Sequence, residues 1–366
     1  MMYDDIAYDE SNPKPGKIYN HPYGRNVYKG VPKDYIGDMV TPENFLDVLQ
    51  GIKVSGGSGK VIASGPEDHI FVYFSGHGST RLLVFPNNKL LLASEFIDKI
   101  EDMHDGWSFS AMVIYIEACK SGSMFDGILP THLNVYATTA ANYSQNSYAC
   151  YYDSYIKAYL GDEYSIHWME DSDSIGPLRR ISLGDQFEFV AQQTERSSVT
   201  MYGDDRMENA PLSDFQGDKK ARPIIVPKVP CRRTSNRDVP VAILTLELES
   251  TTDPVRRIIL EEKLKKTMDN REFVDKKVAE LAMFIAGGNE DIAKSLLSSE
   301  RKVKNFECYE DAVLYFNVKC FDLSSNPYVL EHLRIFVNAC EFGYMVEDIT
   351  HAMDAICSHP SIKVTV

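Results

Sequence analysis

Positive charge is scarce in this chain of 366 residues. Lysine and arginine number 38 against 53 aspartates and glutamates, so the formal net charge at pH 7 is −15. A general nucleic-acid binder needs clustered Lys and Arg, and this balance argues against one. The chain also lacks an apolar run of 18 residues or more, which argues against a membrane span.

Several signatures of cofactor sites are missing as well. The sequence has no C-x₂-C pair, so zinc is poorly supported. The Gly/Ser-rich stretch 54–64 lacks the spacing of a phosphate-binding loop. We therefore expect neither a metal nor another cofactor. A secretory signal has a basic region followed by an apolar core, and the start of this chain has neither. Either the protein is cytosolic or its true beginning lies upstream of Met1.

The seven cysteines are unevenly distributed. Three are isolated, and four lie in the last 59 residues, on segments that look helical: Cys308, Cys320, Cys340 and Cys357. Such a cluster fits two disulfides, with three possible connectivities, or a metal site. We favour disulfides and hence an oxidising compartment, which indicates a secreted or endolysosomal protein.

The first 200 residues have the pattern of an α/β domain. Apolar residues recur at helical spacing over 94–103, with Ser94 as the predicted N-cap. Because strands separated by helices form right-handed crossovers, we expect a mostly parallel sheet flanked by helices. Short apolar runs predict its buried strands at 69–74, 112–116 and 133–137.

The rest of the chain differs in composition. Residues 204–240 are rich in Pro, Arg, Asp and Asn, which is typical of an extended linker. Asp253 and Pro254 then form an N-cap signal for a long amphipathic helix, or a pair of helices, that ends at Gly287-Gly288. Further helical segments come after it, so the sequence predicts an α/β domain, a linker and an all-helical module.

Two predicted strands end in residues that carry chemistry. His77 stands between glycines after the first strand, and Cys119 follows the second. The carboxyl ends of parallel strands share one sheet edge, so the two side chains can form a nucleophile and a general base. The backbone N–H groups of Gly78 and Cys119 are candidates for binding an oxyanion. A buried inert cysteine and an ordinary Gly-His-Gly turn remain the alternatives.

The motifs around these residues closely resemble the legumain family of asparaginyl endopeptidases, and the resemblance covers almost the whole chain. It is carried by SGHGS, IEACKSGSM, VYATTAAN, SYACYY, WMED and the early stretch NVYKGVPKDY. It implies a cysteine endopeptidase zymogen with Cys119 as nucleophile and His77 as general base, cleaving after Asn and, at acid pH, after Asp. The residues implied to line the specificity pocket are Glu117, Ser147, Tyr148 and Asp162.

The resemblance also implies how the chain is divided. A caspase-like peptidase domain would span 1–203, followed by the linker 204–240, an activation segment at 241–288 that blocks the cleft, and a disulfide-stapled, death-domain-like prodomain at 289–366. The implied disulfides are Cys308–Cys340 and Cys320–Cys357. The expected partners are peptide substrates containing Asn, the chain's own prodomain and cystatin-type inhibitors.

The chain departs from the family pattern in three respects. The family's opening strand is missing, which leaves a catalytically impaired form or pseudoenzyme as an alternative. A second alternative is a transamidase or peptide ligase. The residue before His77 is Gly76, where the family usually has Asp, and this difference argues against that alternative. The Asn at which many animal members release the prodomain is replaced near Ser250, so we expect Asp253 or Asn270 to substitute. One glycosylation signal occurs, at Asn142.

Overall fold

The computed structural model describes residues 2–4, 6–175, 177–217, 227 and 229–358. The chain forms two compact units, 1–236 and 237–366. The strands of the first unit are β1 (Met2–Tyr3), β2 (Tyr35–Ile36), β3 (His69–Ser75), β4 (Gly78–Ser79), β5 (Leu82–Phe85), β6 (Lys89–Leu92), β7 (Ala111–Glu117), β8 (Val135–Thr139), β9 (Tyr148–Asp153), β10 (Ala158–Asp162), β11 (Thr200–Gly203) and β12 (Thr234–Ser235).

Helices connect and flank these strands. The α-helices of the first unit are α1 (Pro42–Leu49), α2 (Ala93–Asp105), α3 (Glu163–Ser174), α4 (Leu183–Gln193) and α5 (Ser213–Gln216). Shorter 3₁₀ helices lie at Gly37–Met39, Ser121–Met124, Leu178–Arg180 and Asp205–Asn209.

The central sheet has the strand order β11-β8-β7-β3. β3, β7 and β8 run parallel, and β11 pairs antiparallel with β8. The mixed α/β fold with a mostly parallel sheet is therefore confirmed. The strands predicted at 69–74 and 112–116 match β3 and β7. β8 begins two residues later than predicted, because Asn134 takes a left-handed conformation (φ 54°) just before it.

The predicted N-cap of α2 is wrong. The helix begins at Ala93, and Leu92 occupies the cap position. The Leu92 N–H donates to the side chain of Glu95 at 3.4 Å, so a carboxylate within the first turn bonds back to the cap residue.

Both faces of the sheet are covered by apolar packing. Met112, Ile114 and Ile116 of β7 belong to the core that includes α2. Val113 and Tyr115 belong to the opposite core, with α3 and α4. Since side chains alternate along a strand, Glu117 lies on the same face as Val113 and Tyr115. The alternation thus carries a carboxyl group toward α3.

A separate three-stranded sheet lies beside this domain core, in the order β10-β9-β12. β9 pairs antiparallel with both of its neighbours. Within the stretch predicted as an extended linker, the described residues include a 3₁₀ helix, α5 and β12. A disulfide between Cys150 and Cys231 joins β9 to the segment that leads into β12. No local sequence pattern had indicated this bond.

The second unit is helical. Its described residues, 237–358, contain a 3₁₀ helix at Pro327–Leu333 and six α-helices: α6 (Val239–Ser250), α7 (Pro254–Ile285), α8 (Glu290–Ser298), α9 (Phe306–Lys319), α10 (Arg334–Phe342) and α11 (Val346–Ile356). α7 begins as predicted, with the Asp253 side chain accepting from the Val255 N–H at 2.9 Å. Among the described residues, no helix is both long and apolar enough to cross a bilayer.

Two disulfides join helices of this unit. Cys308 bonds to Cys340, and Cys320 bonds to Cys357, which is the pairing that the family resemblance implied. The buried Asn338 donates to the carbonyl groups of Leu296 and Ser299 at 2.7 and 2.9 Å, which satisfies the carboxyl end of α8.

Candidate active site

His77 and Cys119 follow two adjacent strands of the central sheet. Ser75, the last residue of β3, pairs with Glu117, the last residue of β7. The Gly76 N–H then donates to the Glu117 carbonyl at 3.0 Å, so the two chains stay in register beyond the strand ends. His77 and Cys119 both come directly after this last pair of contacts. The parallel sheet therefore brings both segments to one edge, as the sequence predicted.

Gly78 lies in close contact with the chain around Cys119. A β-carbon placed on Gly78 would lie 3.0 Å from the Cys119 carbonyl oxygen and 3.0 Å from the Ala118 β-carbon. Only glycine allows this approach without displacing one of the two segments. The next turn is held by the His77 carbonyl, which accepts from the Val84 N–H at 2.9 Å.

Cys119 is a buried cysteine with a free thiol. Its Sγ lies 3.6 Å from the Oγ of Ser147, which directly precedes β9. Ser147 comes from a part of the chain 28 residues away. The hydroxyl therefore links the end of β7 to the edge of the β9 sheet.

Glu117 is fully buried at the end of β7. One carboxylate oxygen accepts from both the N–H and the hydroxyl of Ser165, in the first turn of α3. The hydroxyl of Tyr73 in turn donates to Ser165 at 2.8 Å. Within the described part of the chain, the other carboxylate oxygen of Glu117 has no hydrogen-bond partner. This oxygen is an unused acceptor.

A second carboxyl group, Asp162, stands at the junction of β10 and α3. Burial raises the pKa of Asp162 to about 6, and a hydrogen bond from the Asn236 side chain opposes that rise. Burial also raises the pKa of Glu117 well above its usual value, and the nearby Asp162 adds to the effect. Two neighbouring acids with raised pKa values are typical of a functional site.

Asn236 is a site residue that the sequence did not indicate. Its Nδ2 donates to Ser147 Oγ at 2.6 Å, and its side chain also bonds to Asp162. Asn236 belongs to a segment whose composition suggested a linker. Ser165 was missed too, because its role depends on the packing of α3 against the end of β7.

The remaining predicted site residues are Tyr148, Asn142 and the four late cysteines. Tyr148 begins β9, directly after Ser147. Asn142, the predicted glycosylation site, lies in the loop after β8. Its side-chain oxygen accepts from the N–H groups of Ser144 and Gln145 at 3.0 Å, which stabilises a turn. The four late cysteines are all in the second unit.

The sequence matches known families over most of its length. Residues 1–218 match the Peptidase C13 family, and residues 262–357 match the legumain prodomain. Legumain from Homo sapiens is 43% identical over 365 residues, covering 98% of this chain and 83% of the human protein.

Plant proteins are similar over nearly the same length. Vacuolar-processing enzyme beta-isozyme 1 from Oryza sativa subsp. japonica is 38% identical over 371 residues, covering 94% of this chain and 73% of the rice protein. Legumain from Canavalia ensiformis is 36% identical over 385 residues, covering 98% and 80%. The chain therefore belongs to the peptidase C13 family of cysteine endopeptidases and carries a legumain-type prodomain.

Proposed function

We propose that this zymogen hydrolyses peptide bonds after asparagine, and after aspartate at acid pH, with Cys119 as nucleophile and His77 as general base. The proposal is supported above all by one contact: Ser147 Oγ lies 3.6 Å from Cys119 Sγ and also belongs to the cluster that holds two carboxyl groups of raised pKa. A nucleophile beside a pocket of acceptors fits an enzyme that selects a side chain with N–H donors.

The catalytic step uses the groups at the two strand ends. His77 removes the thiol proton of Cys119, and the thiolate attacks the substrate carbonyl. His77 then protonates the departing amine, and water hydrolyses the thioester. The amides of Gly78 and Cys119 stabilise the oxyanion. The close approach of Gly78 to the Cys119 carbonyl keeps these two backbone segments together.

Specificity comes from the acceptors around Ser147. An asparagine amide presents two N–H donors, which suit the oxygens of Ser147, Asp162 and Glu117. Tyr148 lies beside this pocket at the start of β9. A substrate carboxylate is repelled while Asp162 is ionised. Because the pKa of Asp162 is raised to about 6, acid neutralises the pocket and admits aspartate.

The compartment and the remaining partners are inferred from the same chemistry. Three disulfides require an oxidising environment during folding, and the pocket's acid response suits an endolysosomal compartment. The C-terminal prodomain acts as the inhibitor of the chain's own peptidase domain before activation. Cystatin-type proteins are the expected inhibitors of the activated form. The predicted glycosylation of Asn142 fits a protein made in the secretory pathway.

The test is the hydrolysis of matched fluorogenic peptides ending in Asn, Asp or Gln after acid incubation. We expect Asn to be cleaved from pH 4 to 7, Asp to be cleaved only below about pH 6, and Gln to be resistant. Cys119→Ser and His77→Ala should each lower kcat/KM by about 10³-fold or more. His132→Ala is the matched control, because His132 is exposed and distant in sequence from both strand ends. Hydrolysis of the Asn peptide by Cys119→Ser would refute the assignment.

A further inference from the structure

Residues 234–236 lie along the edge of the β9 sheet in the manner of a bound peptide. β12 pairs antiparallel with the first two residues of β9. The Asn236 N–H continues the ladder by donating to the Ser147 carbonyl at 3.1 Å. Addition of an extended strand to a sheet edge is one of the common ways in which proteins hold peptides. The backbone of this strand therefore marks the path that a peptide substrate would follow along β9.

The side chain of Asn236 sets the register of this strand against the site. Its Nδ2 donates to Ser147 Oγ at 2.6 Å, and the side chain also bonds to the Asp162 carboxyl group. Both partners belong to the pocket to which we assign recognition of a substrate asparagine, and Ser147 Oγ lies 3.6 Å from Cys119 Sγ. Asn236 therefore occupies the position of a substrate asparagine, and the residues before it show where the preceding substrate side chains would lie.

Three positions before Asn236, the chain places a cation between two carboxylates. Arg233 Nε lies 2.6 Å from Glu163 Oε1, and a terminal nitrogen of the same guanidinium lies 2.9 Å from Glu195 Oε1. Glu163 begins α3 and is 1% exposed, whereas Glu195 follows α4 and is largely exposed. The Glu195 N–H donates to Glu163 at 3.0 Å, which holds the two acidic residues together. Glu163 and Glu195 together are called the acidic subsite.

The acidic subsite has more acceptors than Arg233 uses. Glu163 Oε2 is buried and, among the residues that the structure describes, has no hydrogen-bond partner. The neighbouring His167 offers little positive charge, because burial lowers its pKa. A buried carboxylate without a cation is unfavourable, and a guanidinium with five N–H groups suits several acceptors at once. The subsite is therefore suited to a cationic side chain, and to arginine above all.

We propose that the acidic subsite also selects substrates, favouring peptides with arginine three residues before the cleaved asparagine. This inference rests on the proposed function, because the position is counted from the proposed pocket and from Cys119. Arg233 fills the subsite in this structure. A substrate takes the place of residues 233–236 along β9, and its own arginine then pairs with Glu163 and Glu195.

Selection follows from the penalty for leaving Glu163 unpaired. A substrate with glutamine at this position would bring a neutral side chain, and the buried carboxylate would lose its cation. A glutamate would add a third carboxylate and be repelled. A lysine would supply the charge, but its compact ammonium group cannot match two carboxylates as a planar guanidinium does. The expected order of preference is therefore arginine, lysine, glutamine and glutamate.

The experiment compares four fluorogenic peptides on the acid-activated protein. Each has the sequence X-Thr-Ser-Asn, where X is Arg, Lys, Gln or Glu and Thr-Ser-Asn reproduces residues 234–236. We expect kcat/KM for the Arg peptide to exceed that for the Gln peptide by about tenfold or more, because the Gln peptide leaves a buried charge unpaired. The difference should lie chiefly in KM, because this pairing is the same in the bound substrate and in the transition state.

Two substitutions test the subsite itself. Glu163→Gln should reduce the Arg-to-Gln ratio of kcat/KM to about twofold or less, because the buried charge is gone. Glu195→Gln should reduce the ratio by only about threefold, since Glu195 is exposed. Glu188→Gln, at an exposed position of α4, is the matched control and should leave the ratio unchanged. A substitution that merely destabilises the fold lowers both rates together, so the ratio separates recognition from stability.

Two different failures can be told apart with the same peptides. Hydrolysis of the Arg and Gln peptides with equal kcat/KM would overturn the acidic subsite and leave the proposed function standing. A Glu163→Gln variant that keeps the full wild-type preference would overturn it as well. Absence of hydrolysis for all four peptides would refute the proposed function, and the substrate preference with it.

Discussion

Glu117 receives two hydrogen bonds from one residue, Ser165. The Ser165 N–H and hydroxyl both bond to the same carboxylate oxygen, at 2.9 and 2.8 Å. Because both donors come from the first turn of α3, the position of a helix sets the position of a buried carboxyl group. The dipole of α3 also acts on this carboxyl group, since the amino end of a helix favours negative charge.

Removal of the Ser165 hydroxyl should therefore impair the pocket. Ser165→Ala takes away one hydrogen bond to a buried acid, which costs about 1–3 kcal/mol. We expect kcat/KM for an asparaginyl peptide to fall about tenfold and the unfolding temperature to decrease. Ser174→Ala, at the other end of the same helix, is the control and should change neither quantity. Activity within twofold of wild type would contradict this role of Ser165.

Asp162 should make the protein less stable as the pH rises. Its pKa is about 6 in the folded protein against an ordinary value of 3.8, so the folded state binds more protons than the unfolded state between these values. The unfolding free energy therefore falls between about pH 4 and 6, by up to roughly 3 kcal/mol. Thermal unfolding of the inactive Cys119→Ser variant, with and without the added Asp162→Asn substitution, measures this free energy. The added substitution should stabilise at pH 7 and have little effect at pH 4. An equal effect at both pH values would contradict the raised pKa.

Two neighbouring arginines should respond differently to substitution. Arg233 pairs with Glu163, which is 1% exposed, whereas Arg232 is exposed. Arg233→Ala leaves a buried carboxylate without its cation, which should cost about 3 kcal/mol. Arg232→Ala should cost less than about 0.5 kcal/mol. Calorimetry of the two variants tests this. Equal behaviour of the two variants would show that the Glu163 pair does not fix the strand.

The disulfides of the helical unit should dominate its stability. Cys320 and Cys357 are 37 residues apart in sequence. The chain-entropy relation gives about 4 kcal/mol for closing a loop of this length in the unfolded state. Replacing both cysteines by serine should therefore lower the unfolding temperature of this unit by more than 5 °C, measured by calorimetry under non-reducing conditions. The matched control is wild-type protein in reductant, whose unfolding temperature should fall by at least as much. A shift of less than 2 °C would contradict the estimate.

Local patterns were sufficient to predict β3 and β7 and the two residues that follow them. Continuous apolar runs indicate strands buried on both faces, and β7 is such a strand. β3 lies at the edge of the sheet and leaves Tyr73 39% exposed, so its apolar run predicted the strand but not its burial. His77 and Cys119 could be placed by the rule that parallel strands end at one edge. The start of β8 was misplaced because Asn134 takes a left-handed backbone conformation just before the strand, and a hydropathy pattern gives no sign of it.

The pocket could be predicted only in part. Glu117 and Asp162 were assigned from family motifs, but their contacts with Ser165 and Asn236 join parts of the chain 48 and 74 residues apart. Thr234-Ser235 has none of the alternating pattern of a strand, and it pairs because β9 offers an open edge. The Cys150–Cys231 bond spans 81 residues and has no spacing rule that would reveal it. Long-range partners of this kind are set by tertiary packing rather than by neighbouring sequence.

The Cys150–Cys231 bond keeps the strand that carries Asn236 attached to β9. Asn236 lies only five residues beyond Cys231, which is covalently joined to β9. A tethered segment of this length competes for its groove at an effective concentration in the millimolar range. The Asn236 amide, which is bonded to Ser147 and Asp162, would then compete with the amide of a substrate. Reduction of this one bond would lengthen the tether and weaken the competition, so thiol chemistry as well as acidity would govern access for other peptides.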